Sequence, residues 1–537
     1  MLVHSFGMHW EFPIEMSEKE ENFCRALGTR SRFYCFLRRA RHVVFDEPLQ
    51  AQLATMYEQR PSGNRPVPPA MLAMAVILQA YTGASDAEAI ECIKADQRWQ
   101  LPLDCMGSKQ PAFCQKTLAF FRKRLVETGM DQQLLARTVQ LAKDTGLFDS
   151  KKLGKLRVAI DSAPLQGAGR VEDTINLIGH AIRNLVKAVV QAAGCTQKQI
   201  VNGAGLTVVG AGSVKARLDI DWNDKEAQKQ ALRRLVQESE RLQCWLEEHG
   251  AELAGDDEVQ AAQQMLRRVI EQDTEPDPDG CGPRIKEGVA PDRVISISDP
   301  DMRHGRKSSS RTINGYKRYQ TADIKSGVVL AACSLPANVA EQHGADKMRA
   351  EMEQHGTVVE LNIDRAFLAS DLARDTHALG HKILSKPFPT PNGLLFTKQQ
   401  FEIDLESAQV VCPAGEVATI QGQSAKFSSD DCAKCALRNK CQKPGVEAGR
   451  IITIHPQEDL MQELQAKLQT ASGRKALRKR VMIEHNLAHH CNRQGPRARY
   501  RGTRKNDFDA RRMAIVHNLM VIKSHSDDGQ RLDAMAA

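Results

Sequence analysis

Two short apolar runs, each meeting an aspartate, constrain this chain more than its bulk properties do. In LRVAIDSAPL, residues 156–165, Leu156, Val158 and Ile160 have the pattern of a buried strand, and Asp161 stands where that strand is expected to give way to Ser-Ala-Pro. In VVELNIDRAF, residues 358–367, Val358, Val359, Leu361 and Ile363 repeat the pattern and Asp364 ends it, with Ser370 and Asp371 opening a helix beyond. The strand ends of an open sheet deliver side chains into a crevice. Two carboxylates in one crevice repel each other, and that repulsion suits them to share hard divalent cations such as Mg²⁺. For either aspartate alone, a turn or capping role is the competing reading.

Around these runs the chain alternates helical and strand patterning, and its 537 residues allow two to four domains. Residues 1–150 read as an all-helical N-terminal domain. Pro68 and Pro69 open a helix reaching Tyr81, and Ser85 with Glu88 forms a capping box for SDAEAIECIKADQRW. CQKTLAFFRKRLVETG then places Arg122, Lys123 and Arg124 outward before stopping at Gly129. A DNA reader of the helix-turn-helix kind and a packing domain with a charged surface both fit. Residues 166–290 read as a helical insertion with three apolar stripes at spacings of three and four: Ile175 to Val189, Leu232 to Leu246, and Val259 to Val269. DTEPDPDGCGPRIKEG is its exit loop, and GYKRYQTADIKSGVVLAACSLP reads as a hairpin turning at Lys325-Ser326-Gly327.

Lysine and arginine total 74 against 66 acidic residues, a net charge of +8, but the distribution says more than the sum. RKALRKR from Arg474, and RQGPRARYRGTRKNDFDARR up to Arg512, suit either phosphates or a solvated face. DPDMRHGRKSSSRTINGYKRY adds Arg303, Arg306, Lys307, Arg311, Lys317 and Arg318, for which phosphate contact is expected, with Asp299 and Asp301 as turn residues. The first residues lack the pattern of a secretory signal, and the longest apolar run, AMLAMAVILQAY, is shorter than the roughly 20 residues of a membrane span. A cytoplasmic protein is expected. Its fourteen cysteines then argue for reduced thiols or metal ligands. Cys412, Cys432, Cys435 and Cys441, spaced C-x19-C-x2-C-x5-C within an insertion at 400–450, suit a structural Zn²⁺ held by four thiolates, or else a metal-free reduced cluster or a redox pair.

A third carboxylate, Glu484 in RKRVMIEHNLAHHCNRQGPRARYRG, falls on a helical pattern with Arg480 one turn ahead on the same face; an ordinary surface ion pair is the alternative. His489 and His490 beside it could touch DNA or metal but read as polar surface. The segments AIDSAPLQGAGRVEDTINLIGHAIR, DIDWNDKEAQKQALRRL, ISDPDMRHGRK with GYKRYQTAD, LNIDRAF, and RVMIEHNLAHHCNRQGPRARYRGTRKNDFDARRMAIVHNL resemble the transposases of bacterial insertion sequences that carry a DDE catalytic triad. The resemblance runs from Pro68 to Leu519.

It implies an α/β fold with a ribonuclease H-like mixed sheet flanked by helices over residues 151–520, interrupted by the insertions at 166–290 and 400–450 and followed by a tail at 521–537. Asp161, Asp364 and Glu484 match the triad and are implied to hold two Mg²⁺ or Mn²⁺ ions. Arg480 matches the arginine four positions before the glutamate. Leu477 stands where a tyrosine is expected and Cys491 where a basic residue is expected, with Arg493 as the candidate to supply that charge. Arg497, Arg499 and Arg501 join the implied DNA contacts. The implied function is metal-dependent cleavage of transposon ends and strand transfer into target DNA. Terminal inverted repeats and target would be bound as double-stranded DNA by a homodimer or larger assembly, nucleoid-associated in a bacterial cytoplasm. A catalytically inactive, domesticated DNA-binding protein and a nuclease of the same fold without strand transfer are the alternatives.

Overall fold

Leu156, Val158, Ala159 and Ile160 are all buried, because the strand that carries them lies inside a sheet rather than at its edge. The structure is a computed structural model and describes residues 8–58, 66–148, 154–210, 212–253, 255–280, 282–307 and 310–526. The main sheet comprises β1 Lys155–Gln166, β2 Arg303–Arg306, β3 Thr312–Asp323, β4 Val329–Pro336, β5 Thr357–Asn362 and β6 Lys382–Leu384. Its order is β2-β3-β1-β5-β6, with β4 pairing to β3 beyond the reach of β2. β5 is parallel to β1 and β6 to β5, whereas β3 runs antiparallel to β1. The mixed α/β class expected from the sequence is the class found.

The first aspartate is placed differently from expectation. β1 continues past Asp161 to Gln166, because β3 keeps pairing with it, Asp161 opposite Gln320 and Gln166 opposite Gly315. The parallel partner β5 has already let go, its last pairing being Asn362 with Ala159. Asp161 therefore sits in mid-strand at the point where one neighbour has ended and the sheet opens beside it.

Helices Arg32–Val44, Pro69–Thr82 and Met130–Asp144 share one hydrophobic core with this sheet and with the long C-terminal helix Thr503–His525. The Ser85–Glu88 capping box forms, but its helix stops at Ala95, since Asp96 caps a separate turn, Gln97–Gln100. Arg122, expected to face outward, turns inward, with Nη2 at 2.6 Å from Asp86 Oδ2. Helices Thr174–Ala193, Lys225–His249 and Asp257–Asp273 bury the three apolar stripes in a core of their own. The run after them contains a small ribbon, Thr274–Pro276 against Pro283–Ile285.

A second, five-stranded antiparallel sheet follows β6: Glu402–Asp404, Gln409–Val411, Val417–Gln421, Ser424–Lys426 and Ile451–Thr453. Its core is small, centred on Phe401 and Phe427. The C-terminal helix runs through position 521, where a tail was expected, to His525; residues 527–537 lie outside the described residues. Among the described residues no helix is long and apolar enough to cross a membrane.

Candidate active site

Asp364 lies two residues beyond β5, where it caps the turn Arg365–Phe367 by accepting the Arg365 N–H at 2.9 Å. Because β5 runs parallel to β1 and its last pairing is with Ala159, Asp364 follows β5 on the side where Asp161 stands in mid-strand beside the opening. Glu484 comes from the helix Val481–Gln494, which packs on β1. Arg480, immediately before that helix, binds the group together: Nη2 donates to Glu484 Oε1 at 3.0 Å and Nη1 stands 3.3 Å from Asp364 Oδ1.

The electrostatics join Asp161 to the same cluster. Burial pushes its carboxyl above the ordinary aspartate value, opposed by the Ser162 N–H and the Arg480 charge and reinforced by the like charges of Asp364 and Glu484. Burial disfavours the Arg480 cation, yet its hydrogen bond to Glu484 and the fields of Asp161 and Asp364 raise its pKa overall. Arg480 thus pairs with two carboxylates from distant segments and feels the charge of a third.

The helix that carries Glu484 is fastened to the strands that carry and flank Asp161. Ile483 and Leu487 are buried, and Asn486 Nδ2 donates to the Gly327 carbonyl at 2.8 Å. His490, read as surface from the sequence, is instead buried and meets the amide of Gln320, the residue paired across from Asp161. Its burial, with the Arg318 charge nearby, pushes its pKa down to about 3, so the imidazole is neutral at physiological pH. Arg318 spans both elements, donating to Gln494 Oε1 at 2.6 Å and to the Pro164 carbonyl at 3.0 Å. The signal for His490 was present, since Ile483, Leu487 and His490 share one face at spacings of four and three.

The basic residues expected at DNA divide into two groups. Arg303 is buried, pairing with Asp292 at 2.7 Å and donating to the Met302 carbonyl at 2.9 Å. Arg493 lies over the Tyr81 ring, 5.9 Å from its centroid, and reaches Met520 Sδ, so the basic charge missing at Cys491 is not replaced there. Arg497 donates to the Gly167 carbonyl at 3.1 Å, and Arg499 to the Gly83 carbonyl at 2.7 Å, where the left-handed Gly83 ends a helix. Lys317 holds the Val339 carbonyl at 3.1 Å. Arg306, Lys307 and Arg501 are exposed. Asp299 and Asp301 accept the N–H groups of Gly502 at 2.9 Å and Thr503 at 2.7 Å, fixing the start of the C-terminal helix.

Cys412, Cys432, Cys435 and Cys441 line one cavity of about 30 Å³ in the second sheet's module, beside Phe396, Phe401 and Phe427. Burial raises the Cys441 thiol pKa, with Arg450 opposing and the other three sulfurs adding to the shift. The Leu437 N–H points at Cys435 Sγ, 3.4 Å away. With the side chains as they lie, no three His, Cys, Asp or Glu residues among the described residues form a group that could hold a metal ion, in this module or at the carboxylates.

Residues 409–523 match the model of a family described as transposase DDE domain, and residues 26–124 match one described as transposase domain (DUF772). Together these matches support a DDE-family transposase. The first covers the four cysteines, Arg480 and Glu484 but neither aspartate; the second covers N-terminal helices. No curated protein and no solved structure matches the chain.

Proposed function

We propose that this protein cuts the ends of a transposon and joins them to target DNA, with Asp161, Asp364 and Glu484 as its catalytic carboxylates on a ribonuclease H-like core. The observation that carries the reading is the pairing of Arg480 with both Asp364, beyond the end of β5, and Glu484, on a late helix, with Asp161 of β1 in the field of all three. The family matches support the class of enzyme. Carboxylates are the donors that hard divalent ions prefer, and Asp161, Asp364 and Glu484 are partly open to solvent with one guanidinium to offset them. As they lie they form no metal-holding group, and they must close together to share an ion. Two Mg²⁺ or Mn²⁺ ions bound there would neutralise phosphate charge and activate water, then a 3′-hydroxyl, for in-line attack.

The chain's own residues do the positioning. β3 and β1 hold Asp161 rigidly, the turn at Arg365–Phe367 fixes Asp364, and Arg318, Gln320 and His490 set the helix of Glu484 against the sheet. Arg480 brings positive charge to the place a phosphate would occupy. Arg306, Lys307 and Arg501 are exposed cations suited to the DNA backbone, while Arg497 and Arg499, also exposed but holding backbone carbonyls, shape the loop that presents Arg501. Two ends must be held together for strand transfer, which favours a homodimer or larger assembly. Incubation with duplexes carrying the element's terminal repeats and Mg²⁺ tests the reading: joined strands are expected. Hydrolysed ends alone would leave a nuclease, and binding without cutting a domesticated DNA-binding protein.

The cysteine module, on the same reading, takes a structural Zn²⁺. Four thiols on one small cavity, an N–H aimed at a sulfur, and a small hydrophobic core support this, although the thiols must turn toward the cavity to close the shell. Metal analysis should find one zinc per chain. Its absence, with unchanged melting after all four cysteines are replaced by serine, overturns the assignment.

A further inference from the structure

We propose that a cavity at the far end of β1 from the carboxylates binds a small molecule through a terminal phosphate or diphosphate. The cavity, of about 290 Å³, lies where the helix Met130–Asp144, the start of β1, the turn between β3 and β4, and the entry to β5 converge. Lys155, on its wall, stands six residues before Asp161, roughly 20 Å along the strand, so the cavity is separate from the catalytic carboxylates.

The charge of its lining is one-sided. Lys143, Lys155, Arg157 and Lys325 face a single acid, Asp323. That acid is already engaged: one oxygen accepts the N–H groups of Lys325 at 3.1 Å and Ser326 at 2.8 Å, and the Ser326 hydroxyl at 2.8 Å. Glu360, paired across from Arg157, has Lys382 and Lys479 at 3.6 and 3.8 Å. Among the described residues Lys155, Arg157 and Lys325 are exposed and form no ion pair.

Unpaired cations are ordinary at a surface, and the inner wall is what sets this cavity apart. Lys143 is half-buried, its ammonium donating to the His355 carbonyl at 2.9 Å, and burial lowers its pKa. His355 is buried, and its Nε2 has no hydrogen-bond partner. Burial and the Lys143 charge push the imidazole pKa down to about 4, so the ring is neutral and keeps one N–H to donate. A buried nitrogen left unpaired is costly, as is a half-buried ammonium without a counterion; an anionic oxygen between them relieves both. Leu147, Phe148 and Leu156 supply an apolar side, and the volume, near the lower end of the roughly 300–1,000 Å³ of small-molecule sites, leaves room for a second phosphoryl or a small organic group. A duplex carries each phosphate between two sugars and meets only the exposed rim. A terminal phosphate has one ester link and can reach Lys143 and His355.

Calorimetric titration of inorganic pyrophosphate into the full-length protein, at low salt and without divalent ions, tests this. Saturable one-to-one binding is expected. Lys155→Gln and Lys325→Gln, whose exposed side chains hold nothing else, should each weaken it about tenfold, the effect of one lost charge-assisted bond, with melting unchanged. Lys198→Gln, at an exposed lysine of the helical insertion, should leave the affinity as it is, and an excess of mixed-sequence duplex should not displace the pyrophosphate. Absence of saturable binding, or equal affinity in wild type, Lys155→Gln and Lys325→Gln, overturns the site. Displacement by the duplex overturns the small-molecule ligand and assigns these cations to the path of DNA. Neither result bears on the catalytic reading.

Discussion

Where the N-terminal helices meet the C-terminal helix, Arg511 lies between Asp131, 3.0 Å away, and Glu351, which it grips at 2.9 and 3.0 Å, while Arg504 supplies Asp131 with a second cation. Where β5 ends beside mid-β1, Arg480 pairs with Asp364 and Glu484 and lies in the field of Asp161. The residue types are the same, but the first cluster is buried and balanced and the second is partly open with acids in excess. A buried network closes its own charges and fixes two parts of a fold to each other. An exposed surplus of carboxylates is left for something from solution.

Removing the central arginine should therefore separate the two clusters most strongly. Arg511→Met leaves Asp131 and Glu351 buried with too little positive charge, and a loss of about 3–5 kcal/mol in chemical denaturation is expected. A loss below about 1 kcal/mol would mean that the junction is not closed as described.

Asp161→Asn should do the reverse, leaving stability equal or higher while cleavage is lost. The folded-state pKa of Asp161 is raised, so the fold favours the protonated carboxyl. Its stabilising contribution is present at acid pH and is lost as pH rises through the folded value. The advantage of asparagine should accordingly grow from acid toward neutral pH in thermal melts, and a variant destabilised at neutral pH would contradict the raised value.

The smallest effects concern the outer arginines. Arg306→Ala and Arg501→Ala should each reduce the salt dependence of DNA binding by about one phosphate contact without changing stability. Arg303→Ala should lower stability and leave the salt slope alone, because its guanidinium is occupied by Asp292 and backbone carbonyls.

The same comparison explains what could be read from the sequence. Apolar periodicity revealed β1, β5 and the three helices with their own core, since burial of one face is written in local spacing. Capping chemistry placed the helix after Ser85 and the one after Ser370. Charge was harder. The stretch from Arg493 to Arg512 looks like one basic surface, yet Arg504, Arg511 and Arg512 point to Asp131, Glu351 and Asp509, partners whose positions only the fold determines. Arg122 and Arg303 misled for the same reason. The extension of β1 beyond Asp161 was hidden because pairing with β3 spans residues far apart in the chain. For Glu484, its spacing from Arg480 suggested a pair, but the approach of that pair to Asp364 required the sheet.

Cleavage requires the late-helix carboxylate to act with the two aspartates, and Glu484→Gln is the variant that isolates it. Cleavage of terminal-repeat DNA in Mg²⁺ and binding of the same DNA should be measured on the same preparation. Undiminished binding with cleavage below detection is the predicted result; cutting at the wild-type rate would contradict it.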